Sequence, residues 1–236
     1  MKYIGTLLFV SLFSFAAFAQ SISAIDLLEK SIQYHDPKGI WGTEVHEFLL
    51  RETRPGGADR ITTIQIDLNN RTFSIDQMRN GHQLFSKIEN EECRFQLDGN
   101  SEVSEEDLKK YRLNCERTLM LRNYYTYLWG LPMKLKDPGT IIDPKVTAID
   151  FDGQKSLALR VTYEEAVGKD IWYFYFHPET YALIGYRFYH DESKNDGEYI
   201  TLEGEESLSS LRLPKIRKWY THKENKFLGA DILVKK

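Results

Sequence analysis

The chain has 236 residues, 42% of them hydrophobic and 13% aromatic, with 31 basic against 35 acidic side chains and a net charge of −4. The signs are interspersed and no basic stripe is present, which argues against a nucleic-acid partner. The acidic balance likewise offers nothing to an anionic membrane surface.

The first residues read as an export signal. Lys2 supplies a short positive n-region, Ile4 to Phe15 is a largely apolar stretch, and Ala17-Phe18-Ala19 places small residues where a signal peptidase reads them. An apolar run of about 15 residues at ~1.5 Å each reaches roughly 22 Å, short of a bilayer core of about 30 Å. Cleavage is therefore expected between Ala19 and Gln20, and since Gln20 is not a cysteine the product is not lipid-anchored. This predicts a signal peptide over 1–19, a single domain over 20–236, a periplasmic or secreted location, and no transmembrane segment in the mature chain.

Ser23-Ala24-Ile25-Asp26 is a capping box, and Ile25, Leu28 and Ile32 follow at helical spacing until Asp36-Pro37-Lys38-Gly39 stops the helix. Strand signals come next, over Thr43 to Arg54, Arg60 to Leu68, Arg71 to Arg79 and His82 to Glu89. Asn80-Gly81 is the sharpest hairpin cue among their links. Alternation in Arg60 to Leu68 puts Thr62, Ile64, Ile66 and Leu68 on one face, as in a half-buried strand of a meander.

The middle is helical. Ser104-Glu105-Glu106-Asp107 caps one segment, and a longer one runs from Cys115 to Trp129 before Gly130-Leu131-Pro132 ends it. Seven further strands are predicted: Lys145 to Asp152, Lys155 to Tyr163, Lys169 to His177, Ala182 to Tyr189, Glu198 to Glu205, Leu213 to His222 and Lys226 to Val234. No repeat or low-complexity linker divides the chain, so the helices must cover one face of an antiparallel sheet in an α+β fold.

Cys93 and Cys115 are the two cysteines of the mature chain. In an oxidising compartment they are most simply a disulfide, worth about 3 kcal/mol for a loop of ~22 residues. The spacing is not Cys-x-x-Cys and no histidine sits beside either residue.

Ile171-Trp172-Tyr173-Phe174-Tyr175-Phe176 has no polar alternation, and Tyr186 and Phe188 recur two apart on the following strand. Such strands either fill a core or line an apolar space. At roughly 0.8 kcal/mol per buried methylene, a cavity of this kind would hold an acyl chain without any special polar residue. Leu131, Met133 and Leu135 fall on a loop after the long helix, either as a buried crossing or as an apolar lip flanked by Lys134 and Lys136, which could meet a headgroup.

The order of elements resembles the lipoprotein localization factor (LolA/LolB-like lipoprotein carrier) superfamily. That resemblance implies a curved antiparallel β-sheet, an unclosed half-barrel, covered on its concave face by helices, with lipid chains held between. More closely, the chain resembles an uncharacterised exported family of the Bacteroidota. The matching segments are His35-Asp36-Pro37 with Trp41, Gly130-Leu131-Pro132-Met133-Lys134-Leu135, Trp172-Tyr173-Phe174-Tyr175, Gly197-Glu198-Tyr199-Ile200, and Leu213-Pro214-Lys215 with Trp219-Tyr220.

The leading expectation is a non-catalytic binder or carrier of a lipid, lipoprotein acyl group or other apolar small molecule, with ligand-binding residues Leu131, Met133, Leu135, Trp172, Phe174, Tyr186 and Phe188. The alternatives are an envelope hydrolase whose site is assembled from distant residues such as His35, and a module that pairs with an envelope protein through a sheet edge. The histidines show no ligand spacing, and there is no nucleophile turn, phosphate loop or dinucleotide fingerprint. No catalytic set, metal site or cofactor is expected.

Overall fold

The computed structural model describes residues 22–235. The expected signal peptide over 1–19 and the cut after Ala19 lie outside the described residues. Twelve strands are found among the described residues: β1 (His46–Thr53), β2 (Arg60–Asp67), β3 (Thr72–Arg79), β4 (His82–Glu89), β5 (Glu92–Leu97), β6 (Thr140–Phe151), β7 (Gln154–Tyr163), β8 (Ile171–Phe176), β9 (Leu183–Tyr189), β10 (Glu198–Leu208), β11 (Leu211–Thr221) and β12 (Phe227–Val234). They form one antiparallel sheet in the order β5-β4-β3-β2-β1-β12-β11-β10-β9-β8-β7-β6. Two meanders are joined where the first strand, β1 (His46–Thr53), pairs with the last, β12 (Phe227–Val234), through Leu50 opposite Leu233. The sheet leaves β5 (Glu92–Leu97) and β6 (Thr140–Phe151) unpaired at its two edges, so it is an open half-barrel.

Three helices lie on one face. α1 (Ala24–His35) starts where the Ser23 hydroxyl accepts the Asp26 amide at 3.1 Å. Its buried face is Ala24, Leu27, Leu28, Ser31 and His35, whereas Ile25 is 69% exposed. The stripe therefore lies about one position away from the one that Ile25, Leu28 and Ile32 suggested. His35 sets that rotation: its Nδ1 meets the Arg212 carbonyl at 2.6 Å and its Nε2 accepts the Leu183 amide at 2.9 Å. α2 (Glu105–Tyr111) and α3 (Cys115–Trp129) follow β5, and the Cys93–Cys115 disulfide ties β5 to the first residue of α3.

The core is the space between these helices and the sheet. On one side, Leu27, Leu28, Leu128, Leu131 and Leu135 pack on Leu159, Val161, Phe174, Phe176, Tyr186 and Ile200. On the other, Tyr125 and Trp129 pack on Phe48, Leu50, Ile64, Phe73, Leu213 and Leu233. Both clusters are built from every second residue of their strands, which is why Thr62, Ile64 and Ile66 of β2 (Arg60–Asp67) face inward together.

Three expectations are corrected. β5 is a strand that no expectation covered, a six-residue segment in which no residue is fully buried. β6 begins at Thr140, not Lys145, with an irregularity in its pairing between Ile142 and Val146 that interrupts the ladder around Pro144. The crossing after α3 is a 3₁₀ turn, Met133–Lys136, not a free loop.

Candidate functional site

α3 is held to the sheet by polar contacts as well as packing. Glu52 on β1, itself buried, receives a bidentate contact from Arg60 at 2.6 and 2.7 Å, a hydrogen bond from Thr62, and one from the Tyr125 hydroxyl at 3.0 Å. These donors hold the Glu52 carboxyl below its ordinary range although burial opposes ionisation. Arg217 on β11 (Leu211–Thr221) lies against the face of Trp129, 3.7 Å from the ring centroid, and donates to the Leu128 carbonyl at 3.0 Å. Its cross-strand neighbour Asp231 is buried and accepts from the Trp219 indole at 3.2 Å. Burial pushes the Asp231 carboxyl upward, with the nearby Glu52 charge adding to it.

Two open volumes flank the exposed side of α3. The larger, of 620 Å³, runs between Ile66, Leu68 and Thr72 on the first meander and Tyr163, Val167 and Trp172 on the second. The other, of 560 Å³, is walled by Tyr124, Tyr127 and Leu128 of α3 and by Trp172, Phe188, Trp219 and Leu228 of the sheet, with Arg54 and Glu198 at its rim. Asn123, Tyr127 and Trp172 border both, so the two adjoin beside α3 and together make up the cleft. Each volume is of the size that holds a small organic ligand.

The cleft wall is an aromatic cluster. The Trp172 ring stands 4.9 Å from Phe188, 5.6 Å from Tyr127 and 5.9 Å from Phe174, and Tyr124 stacks at 6.2 Å on Trp219. The Tyr127 and Tyr163 hydroxyls bond to each other. Burial raises both phenols, Tyr163 to about 12, so these rings carry no charge near neutral pH. Glu198 at the rim is also raised by burial.

The sequence-predicted residues divide by depth. Trp172 and Phe188 reach the cleft surface. Phe174 and Tyr186 are fully buried behind them, and the Tyr186 phenol is pushed up to about 12 by that burial. Leu131 and Leu135 are each 1% exposed in the core under the crossing, and Met133 packs partly buried against the other cluster. Lys134 pairs with Asp137, and Lys136 pairs with Glu29 of α1 at 2.5 Å. The sequence reading passed over Tyr124, Tyr127, Trp219 and Leu228. A helical wall of tyrosines facing two strand aromatics is visible only after α3 is docked.

His35 has both ring nitrogens engaged by backbone, and burial lowers its proton affinity. The neighbouring Asp36 accepts the Ile40 and Trp41 amides, both at 2.9 Å. Neither has a free atom to offer a substrate, so the pair organises the turn after α1. Among the described residues no cluster of metal-ligating side chains is found, and no helix is long and apolar enough to cross a membrane.

Comparison with known proteins gives a family and a fold. The model of a family of unknown function, DUF6503, matches residues 2–236. No curated protein matches the sequence. Among solved structures, a LolA superfamily protein of Nitrosomonas europaea superposes with a TM-score of 0.52 at 11% identity, over 91% of this chain and 93% of that one. A Vibrio parahaemolyticus domain described as an outer membrane lipoprotein-sorting protein gives a TM-score of 0.48 at 10% identity, over 88% and 90% of the two chains. The superposition on the LolA superfamily protein concerns the fold, the open antiparallel sheet, alone.

Proposed function

Because this chain belongs to the DUF6503 family, whose function is unknown, we propose its role from the geometry: it binds and carries an apolar ligand in the cleft beside α3, without performing chemistry. The ligand class is a lipid, a lipoprotein acyl group or a similar apolar molecule. One observation carries the reading. On the helix-covered face, where rings would normally be sealed into the core, Tyr124, Tyr127, Trp172, Phe188 and Leu228 wall a space left open. Trp172 and Phe188 contact the ligand in this reading, while Leu131, Leu135, Phe174 and Tyr186 back the wall and fix its shape. The carrier fold of the LolA superfamily supports the same reading at the level of architecture. The export signal over 1–19, the single domain over 20–236 and the periplasmic or secreted location belong to this proposal, since an apolar cargo needs a carrier wherever it must cross water.

The test is native mass spectrometry of the chain from Gln20, purified without detergent. Extra mass that leaves on mild activation and extracts into organic solvent is the expected result. Trp172→Ala should cut uptake of added fatty acid or phospholipid about tenfold, because it removes the ring shared by both parts of the cleft. An apo mass that no added lipid changes would overturn the reading.

A further inference from the structure

The opposite face of the same strands carries a second arrangement that the cleft does not use. Along β8 (Ile171–Phe176) and β9 (Leu183–Tyr189), Trp172 and Phe188 face the helices, so Tyr173, Tyr175, Arg187 and Tyr189 point outward. In register, Arg160, Tyr173, Arg187, Tyr199, Tyr220 and Phe227 form one row across six consecutive strands. Outward positions of a sheet are ordinarily small or charged. Here each strand contributes a ring or a guanidinium.

At one end of this row is a pocket of 410 Å³ floored by Ala158, with Tyr173, Tyr175 and the half-exposed Ile149 on its walls. Phe151 stacks on Tyr175 at 4.0 Å and fills the space over Gly185, where a Cβ would come within 2.1 Å of the ring. The phenylalanine therefore braces the wall and requires glycine beneath it. Arg187 lies 5.4 Å from the Tyr175 centroid and donates to the Tyr189 hydroxyl at 3.1 Å. Among the described residues its buried Nε has no hydrogen-bond partner, and no carboxylate pairs with the guanidinium. Lys145 also lines the pocket, and it forms no ion pair among the described residues. The third cation, Arg160, is paired with Glu192 at 3.6 Å, and Glu192 also accepts the Tyr173 hydroxyl at 2.5 Å.

We infer that this outer pocket binds an acidic saccharide, with a sugar carboxylate seated between Arg187 and Lys145. The Arg187 guanidinium, engaged by the Tyr189 hydroxyl and not by a carboxylate among the described residues, supplies a positive charge and a further donor to one carboxylate, and the tyrosine walls offer apolar surface to the C–H face of a pyranose ring. Asp143 and Glu192 in the same pocket accept hydroxyl hydrogens, which sugars supply in number. Those two carboxylates also weigh against a nucleic acid strand. A polyphosphate needs several uncompensated cations, and the chain as a whole carries a net charge of −4. The site lies on the opposite face of the sheet from the apolar cleft, so it stands or falls independently of the carrier reading.

The experiment is isothermal titration of the chain from Gln20 with trigalacturonate, a neutral cello-oligosaccharide of equal length, and a short oligo-dT. Saturable binding of trigalacturonate is expected, at least tenfold tighter than the neutral sugar, and weakened about tenfold by Arg187→Gln. Lys145→Gln, at an exposed position on the edge strand β6, should weaken it severalfold with unfolding temperature unchanged, which keeps the test valid if the Arg187 variant folds poorly. No binding of trigalacturonate at millimolar concentration, binding indifferent to both substitutions, or preference for oligo-dT would each overturn the assignment.

Discussion

A few side chains decide how α3 sits over the sheet, and Glu52 is the most constrained of them. It is buried and ionised because Arg60, Thr62 and Tyr125 converge on it from β2 and α3. Arg60→Ala would leave that carboxylate with only hydroxyl partners. Breaking a buried pair by removing one member costs about 3–5 kcal/mol. Since Arg60 is partly exposed and two hydroxyls remain, a loss of about 2 kcal/mol is expected here. Urea denaturation reads this directly, and an unchanged midpoint would show that water satisfies Glu52 as well as the guanidinium does. The residues that marked the family resemblance act in the same structural way. Asp36 holds the backbone of Ile40 and Trp41, and the Trp41 ring lies where a Cβ on Gly130 would come within 2.5 Å of it. The segments His35-Asp36-Pro37 and Gly130-Leu131-Pro132 thus meet through Trp41 and fix the geometry of the helix ends.

Among the elements, those with a strong internal signal were legible in the sequence. α3 runs from Cys115 to Trp129 as expected, with Asn114 accepting the Arg117 amide at its start, and β3 turns into β4 through Asn80-Gly81, both at positive φ. β5 was missed although Cys93, Phe95 and Leu97 alternate with Glu92, Arg94 and Gln96, because six residues with three apolar positions are too short a run to stand out. Nor could periodicity show which stripe of α1 is buried, since His35 is polar and is buried for its two backbone bonds. For the site, Trp172 and Phe188 stood out as strand aromatics, but Tyr124 and Tyr127 read as ordinary helical residues. The disulfide links the edge strand β5 to the helix that walls the cleft, with a separation of 22 residues and Cα atoms 5.6 Å apart. Replacing both cysteines by serine should lower stability by about 3 kcal/mol by the loop-closure argument. The amide exchange of β5 should rise more than that of β1. Uniform acceleration across the sheet would mean that β5 is held by its pairing with β4 alone.

The whole molecule sums several buried ionisable groups whose responses to pH differ in sign. His35 is neutral in the fold, its affinity for protons lowered by burial from the ordinary 6.5. As pH falls below about 6.5 the unfolded chain takes up a proton that the folded chain refuses, so stability drops from there toward the lowered folded value. Glu52 acts later. Its carboxyl is lowered from 4.5, so its contribution is present above that pH and is lost as pH falls through the folded value. Asp231 opposes both, because its raised carboxyl binds a proton in the fold before it does in the unfolded chain. Urea midpoints measured between pH 7.5 and 3.5 should therefore show a first decline beginning near pH 6.5 and a second below about 4.5. In His35→Gln the first decline should shrink relative to the native chain, while the second, which belongs to Glu52 under α3, should remain. If the first decline is unaltered in that variant, His35 is not the group that titrates there, and its burial does not hold it neutral.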